Sequence, residues 1–121
     1  MAVCVIDSDI VTRSSIVRLI KSLDAVAYEF EHGAAFLREL KNIEPRCLIC
    51  EFQLPDMTGL ELVTELRRRS VSVATIFVTS VDDVRAAVSA IRMGALDYMQ
   101  KPYNPSLLLR RVKQALNAEA G

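Results

Sequence analysis

The chain has 121 residues, of which 51% are apolar, and this composition suits one globular domain with a single buried core. Its 15 basic and 15 acidic side chains give a formal net charge of zero, which argues against a nucleic-acid-binding module and against disorder. Charged residues interrupt every apolar stretch well before the roughly 20 residues of a membrane span, and the first residues do not resemble a signal peptide. We therefore expect a soluble cytoplasmic protein with one domain over residues 1–121.

Short apolar runs alternate along the chain with amphipathic stretches. The runs predict five strands, at residues 3–6, 25–30, 47–50, 73–78 and 96–100. The stretches predict five helices, at residues 9–23, 34–40, 58–69, 81–93 and from 105 onward. This alternation, with strands that are mostly apolar throughout, predicts parallel pairing and a three-layer α/β sandwich. The second strand is more polar, so we expect it at an edge of the sheet.

Local signals mark where three of the predicted helices begin. Thr58 and Glu61 form a capping box at the start of the third helix. Asn104 followed by Pro105 is a capping side chain followed by a proline at the first helical position, which starts the fifth helix. Ser80 is expected to cap the fourth helix.

The cysteines and the single histidine have simple interpretations. Cys47 and Cys50 form a C-x-x-C pair, but a spacing of three within a strand places the two side chains on opposite faces, so they cannot share a metal. We interpret them as buried apolar residues, and an odd count of three cysteines does not suit a disulfide framework. His32 lies in a polar turn with no second ligand nearby and is interpreted as a surface loop residue.

Polar residues follow four of the predicted strands. The functional site of an open α/β sheet lies at the C-terminal ends of its strands, where Asp7, Glu51, Thr79 and Lys101 are placed. Two carboxylates can hold Mg²⁺, while a hydroxyl and an ammonium can bind phosphoryl oxygens. The combination predicts metal-assisted phosphoryl chemistry. Singly, the residues also have structural interpretations: Asp9 beside them suits a helix cap, Thr79 a strand and Lys101 a counter-ion.

The sequence resembles the receiver domain of two-component response regulators over essentially its whole length. The segments that carry the resemblance are VCVIDSD at 3–9, CEFQLPDMTGLEL at 50–62, IFVTS at 76–80 and GALDYMQKPY at 94–103. The resemblance implies a flavodoxin-like receiver fold with five parallel strands in the order 2-1-3-4-5. It also implies that a phosphoryl group is transferred, with Mg²⁺, from a histidine of a sensor kinase to an aspartate of the receiver domain. The domain is then a signalling module rather than an enzyme. No effector domain is expected in this chain.

By position in these segments, Thr79 matches the family's hydroxyl residue, Tyr98 its switch aromatic and Lys101 its phosphate-contacting lysine. The Lys101–Pro102 peptide bond is implied to be cis. Implied partners are a sensor histidine kinase or phosphotransfer protein upstream and an effector downstream. The surface of the fourth helix, fifth strand and fifth helix is the implied homodimer face, and no direct contact with nucleic acid or membrane is expected.

Two positions depart from the family pattern. The family's phospho-accepting aspartate stands four residues before the loop proline, and the residue at that distance from Pro55 is Glu51. Ser8 stands where the second of two paired acids is found, whereas Asp7 keeps the first. We therefore expect only a weak Mg²⁺ site, at Asp7, Glu51 and Gln53. A longer acceptor side chain also misplaces the carboxylate for in-line transfer.

The additional methylene of Glu51 carries its carboxylate toward the region where the phosphoryl group of a modified aspartate lies. There we expect it to pair with Lys101 and to accept a hydrogen bond from Thr79. The sequence thus favours a phosphorylation-impaired receiver in which Glu51 partly mimics phosphoaspartate. One alternative is an ordinary phosphorylatable receiver. A second is a flavodoxin-like cofactor-binding protein, but Asp7 and Asp9 would repel the phosphate of its cofactor. A third is a hydrolase, but the sequence has no Gly-x-Ser-x-Gly motif.

Overall fold

The computed structural model describes residues 1–118, in which strands and helices alternate along the chain. The strands are β1 (Ala2–Ile6), β2 (Val26–Phe30), β3 (Cys47–Cys50), β4 (Ala74–Thr79) and β5 (Asp97–Gln100). The helices are α1 (Ile10–Ile20), α2 (Gly33–Ile43), α3 (Gly59–Arg68), α4 (Val84–Arg92) and α5 (Pro105–Asn117). Within this part of the chain, no helix combines the length and apolar character needed to cross a membrane.

The five strands form one parallel sheet in the order β2-β1-β3-β4-β5, which confirms the predicted fold. β2 lies at an edge, as its more polar sequence predicted. In the register of the three central strands, Ile6 of β1 pairs with Cys50 of β3, and Cys50 pairs with Phe77 of β4. The residues that follow β1 and β3 therefore emerge side by side at one edge of the sheet.

Two apolar layers cover the two faces of the sheet. Because successive strand residues point to opposite faces, Cys47 packs in the layer with α1 and α5, and Cys50 packs in the layer with α2, α3 and α4. This placement confirms that the two thiols of the C-x-x-C pair lie on opposite faces. All three cysteines are free and buried.

The fourth helix begins at Val84, later than predicted, and Ser80 is not its cap. The side chain of Asp83 caps the helix by accepting hydrogen bonds from the N–H groups of Arg85 at 2.9 Å and Ala86 at 3.4 Å. Ser80 instead lies outside the helix and directs its N–H and hydroxyl toward Glu51. The prediction of Ser80 as the cap was therefore wrong, because a long-range contact determines its conformation.

The other helix starts follow local signals more closely. Thr58 and Glu61 form the predicted capping box, and Asn104 caps α5 ahead of Pro105, as predicted. His32 has a more specific structural role than a loop residue, because its Nδ1 accepts a hydrogen bond from the Ala35 N–H at 3.2 Å and caps α2.

Candidate functional site

Four of the predicted site residues meet at the C-terminal edge of the sheet. Asp7, Glu51 and Thr79 follow or end the three central strands and are 2%, 6% and 0% exposed. The ammonium nitrogen Nζ of Lys101, which follows β5, lies 2.9 Å from Asp7 Oδ2 and 3.3 Å from Glu51 Oε1. The Lys101–Pro102 peptide bond is cis, the isomer that the resemblance implies. Two buried carboxylates thus share one cation.

The Glu51 carboxylate is hydrogen bonded through both of its oxygens. Oε2 accepts from the N–H groups of Phe52 at 2.5 Å and Gln53 at 3.3 Å. Oε1 accepts from the N–H of Ser80 at 3.3 Å and from the Ser80 hydroxyl at 3.5 Å. Sequence reasoning named Thr79 as a donor to Glu51, and its hydroxyl does lower the pKa of that carboxyl. It missed Ser80, because a serine ahead of a helix is more simply interpreted as its cap.

The segment between β4 and α4 is held from two sides. The Thr79 hydroxyl accepts a hydrogen bond from the Val81 N–H at 3.0 Å, and the Tyr98 hydroxyl donates to the Val81 carbonyl at 3.2 Å. The Tyr98 ring packs edge-on against Phe52, with ring centroids 5.7 Å apart. Glu51 contacts the neighbouring Ser80, so the carboxylate and the tyrosine hydroxyl both position this connection.

The ionisation of the site follows from these contacts. Burial raises the pKa of Glu51, but the Thr79 hydroxyl, the Lys101 ammonium and backbone N–H groups outweigh burial and hold the pKa below its usual range. Burial lowers the pKa of Lys101, but hydrogen bonding and charge attraction from Asp7 and Glu51 raise it overall. Both groups are therefore charged at neutral pH.

Asp9 and Ser8 do not add to the acidic cluster. Asp9 caps α1: its Oδ1 accepts from the Val11 N–H at 3.1 Å, and its Oδ2 accepts from the Thr12 hydroxyl at 2.8 Å. Asp9 thus has the structural role that the sequence favoured, and Ser8 is exposed beside it. The carboxylates that face Lys101 are therefore those of Asp7 and Glu51.

The donor set fits Mg²⁺ poorly. Mg²⁺ requires a near-octahedral shell of oxygens. Asp7 Oδ2 is buried with no well-oriented hydrogen bond, but the Lys101 ammonium lies directly beside it. Glu51 Oε2 is turned toward backbone N–H groups, and the side chain of Gln53 is exposed. Within residues 1–118, no group of three or more histidine, cysteine or acidic side chains is arranged to hold a metal ion.

Two residues that sequence reasoning did not single out fix the backbone around the site. The buried Arg13 donates from Nη1 to the Asp7 carbonyl at 2.6 Å and pairs with Glu29 at 3.2 Å. The Asp56 carboxylate accepts from the N–H groups of Gly33 at 3.0 Å and Ala34 at 2.9 Å, which ties the β3–α3 loop to the start of α2. Neither role has a local sequence signal: Arg13 binds a backbone carbonyl, which any residue carries, and Asp56 binds N–H groups 22 and 23 positions away.

Comparisons with known proteins identify the family to which the chain belongs. The family model of the response regulator receiver domain matches residues 3–113. The transcriptional regulatory protein FixJ of Azorhizobium caulinodans is 32% identical over 99% of this chain and 57% of its own length. The DNA-binding transcriptional regulator NtrC of Escherichia coli K12 is 31% identical over 95% of this chain and 24% of its own. The chain therefore spans only part of the length of these relatives.

Solved structures show the same architecture. A response regulator receiver protein from Pseudoalteromonas atlantica aligns with a TM-score of 0.89 and 28% identity, over 97% of this chain and 98% of that one. The BeF3-activated DrrB receiver domain aligns with a TM-score of 0.86 and 26% identity over 97% of both chains. With the family match across almost the whole sequence, these findings show that the chain belongs to the response regulator receiver domain family.

Proposed function

We propose that this receiver domain signals through protein contacts. We also propose that its aspartyl phosphorylation is impaired, because Glu51 stands at the phospho-acceptor position. The observation that carries the proposal is the Lys101 ammonium between Asp7 and Glu51, at 2.9 and 3.3 Å. A charged, buried glutamate is already compensated there by a lysine and by backbone donors. The Glu51 carboxylate thus has a counter-ion and hydrogen-bond donors without any modification.

The chemistry of transfer is disfavoured at Glu51 for two reasons. Its side chain is one methylene longer than that of aspartate, and misplacement by about 1 Å costs about a hundredfold in rate. Both carboxylate oxygens also accept hydrogen bonds, so an attacking oxygen has to give up contacts to Phe52 and Gln53 or to Ser80. The poor donor set for Mg²⁺ acts in the same direction, and we propose that Mg²⁺ binds weakly.

We further propose that Glu51 acts as a partial mimic of phosphoaspartate. Its Oε1 contacts Lys101 and Ser80, while Tyr98 binds the next residue, Val81, so the β4–α4 connection is held close to the site. The mimic is imperfect, because it carries one charge where a phosphoryl group carries nearly two, and because it has fewer acceptor oxygens. The domain is accordingly biased toward an active-like arrangement of this connection.

The proposed partners follow from the family. We propose a sensor histidine kinase or phosphotransfer protein upstream and an effector protein or domain downstream, with the domain itself neither an enzyme nor a nucleic-acid binder. A cytoplasmic location fits these partners. A homodimer through α4, β5 and α5 is supported by exposed apolar side chains on α4, at Val84, Val88 and Ile91.

Intact-mass measurement after incubation with acetyl phosphate and Mg²⁺ tests the proposal. We expect the parent to gain no phosphoryl group, whereas Glu51→Asp gains one. If only the double variant Ser8→Asp, Glu51→Asp gains mass, the lost acid at position 8 also limits the chemistry. A gain on the parent itself would overturn the impaired-receiver proposal.

A second candidate is an ordinary phosphorylatable, Mg²⁺-dependent receiver. The observation that favours it is Asp7 Oδ2, a buried acceptor without a well-oriented hydrogen bond, which a cation could satisfy if Lys101 moved. The same mass measurement separates this candidate from the first. Family membership argues against the flavodoxin-like alternative.

A further inference from the structure

Two adjoining cavities lie at the edge of the sheet opposite to Glu51, where β3 and β4 begin. The larger, about 570 Å³, lies between α2 and α3, and the smaller, about 450 Å³, lies between α3 and the α4–β5 connection. Val71 and Ser72 line both cavities, which therefore adjoin, and we call the two cavities together the end groove. Its apolar lining comes mainly from Leu40, Pro45, Val63, Leu66, Val71 and Val73.

Basic side chains line the end groove. Lys41 and Arg69 border the larger cavity, and Arg67 borders the smaller. Arg67 donates to the Met93 carbonyl at 2.8 Å, and among residues 1–118 neither Arg67 nor Lys41 has a carboxylate within 4.0 Å. Glu44 is the acid in the lining, so the groove carries an excess of positive charge.

Part of this basic character has a structural explanation. Cations near the C-terminal ends of α2 and α3 compensate the partial negative charge of about one half that each helix end carries. Arg69 also pairs with Glu65 at 2.8 Å, but Arg68 uses the same carboxylate at 2.6 Å. Arg68 and Arg69 thus share the single carboxylate of Glu65. The end groove keeps an excess of positive charge after the helix ends and Glu65 are taken into account.

We propose that the end groove binds an acidic peptide segment of a partner protein. The segment places two apolar side chains in the two cavities and its carboxylates against Lys41 and Arg67. An extended segment suits the groove better than one compact ligand, because the groove consists of two adjoining cavities rather than one. A nucleic acid is a poorer match, since no aromatic ring lines either cavity and bases stack on aromatic rings. The proposal is independent of the chemistry at Glu51.

Fluorescence anisotropy with labelled peptides tests the proposal. The probes are acidic twelve-residue peptides in which two leucines are separated by between one and five residues. We expect at least one spacing to bind, and its affinity to fall at least tenfold when the leucines become serine or the acids become their amides. Binding should weaken when salt rises from about 50 mM to about 500 mM, because screening shortens the range of exposed charges. A single-stranded RNA of the same length serves as the competing ligand.

Matched variants localise the binding. Ser72 is exposed and lines both cavities, so Ser72→Trp should fill the groove without disturbing the core and should weaken peptide binding at least tenfold. Arg67→Gln should weaken it severalfold, whereas Arg110→Gln, on exposed α5 surface, should not. Thermal melting confirms that each variant folds. No binding at any spacing, binding unchanged in Ser72→Trp, or tighter binding of RNA would overturn the proposal.

Discussion

Lys101 is the counter-ion of both carboxylates in the candidate site. Its ammonium contacts Asp7 and Glu51, whose side chains are 3% and 6% exposed. Lys101→Met leaves two buried carboxylates without a counter-ion, and removing one partner of a buried ion pair costs about 3–5 kcal/mol. Lys101 itself is 18% exposed, so water screens part of the charge and we expect a loss of about 2–3 kcal/mol in the free energy of unfolding. Urea denaturation measures this loss.

A double-mutant comparison controls this prediction. Lys101→Met combined with Glu51→Gln removes one of the two uncompensated charges and should recover part of the lost stability. Lys113→Met, at an exposed position of α5, is the matched control and should leave the urea midpoint nearly unchanged. If Lys101→Met unfolds at the same urea concentration as the parent, the ion pairs do not stabilise the fold.

The cysteines should be inert in the folded protein. Burial raises the pKa of Cys4 and Cys47 to about 12, and burial raises that of Cys50 well above its usual range. At pH 8 a thiol with a pKa near 12 is deprotonated in only about one molecule in ten thousand, and the thiolate is the reactive form. We expect iodoacetamide to modify none of the three in native buffer within an hour and all three in denaturant, by intact mass. Modification at the rate of a free thiol would contradict this.

At the scale of elements, the start of α4 depends on Asp83. Its side chain accepts two backbone N–H groups of the first turn, and loss of such a cap typically costs about 1 kcal/mol. Asp83→Ala should therefore lower the free energy of unfolding by about this amount, measured by urea denaturation. Asp82→Ala is the matched control, because Asp82 is also acidic and exposed but does not cap the helix, and it should change the stability by less than about 0.5 kcal/mol. Equal effects would contradict the assignment of the cap.

Local signals made much of the element order predictable. The caps at Thr58 and Asn104 follow from short-range patterns, and the strand order follows from the family resemblance. The start of α4 was mispredicted because Ser80 binds Glu51, 29 positions away. Asp56 likewise binds the start of α2 across 22 and 23 positions. Such long-range partners are visible only after the chain has folded.

The same limit applies to the site. Asp7, Glu51, Thr79 and Lys101 could be placed together because parallel strands end at one edge. The sequence could not show which neighbour binds which oxygen, and it missed the N–H and hydroxyl of Ser80 as donors to Glu51. The role of Arg13 also escaped prediction, because its carbonyl partner at Asp7 belongs to the backbone and has no sequence signature.

At the scale of the whole molecule, the candidate site connects to an exposed face. Glu51 binds Ser80, Tyr98 binds Val81, and α4 begins shortly afterwards. Val84, Val88 and Ile91 recur at helical spacing on α4 and are 76%, 44% and 49% exposed. A helix with such a stripe is stabilised by a partner that covers it. The proposed homodimer therefore uses a surface whose position depends on contacts at the site.

Sedimentation equilibrium tests whether Glu51 affects self-association through the exposed face of α4. We expect the parent to self-associate at high concentration and Val88→Asp to be monomeric, because a carboxylate in the apolar stripe has no partner when it is buried. Val26→Asp, an exposed apolar position on the edge strand β2, should associate like the parent. Glu51→Ala should weaken the dimer, since it frees Ser80 and loosens the segment that leads into α4. A Glu51→Ala protein that melts cooperatively and associates as strongly as the parent would show that Glu51 does not bias this face, whatever its effect on phosphorylation.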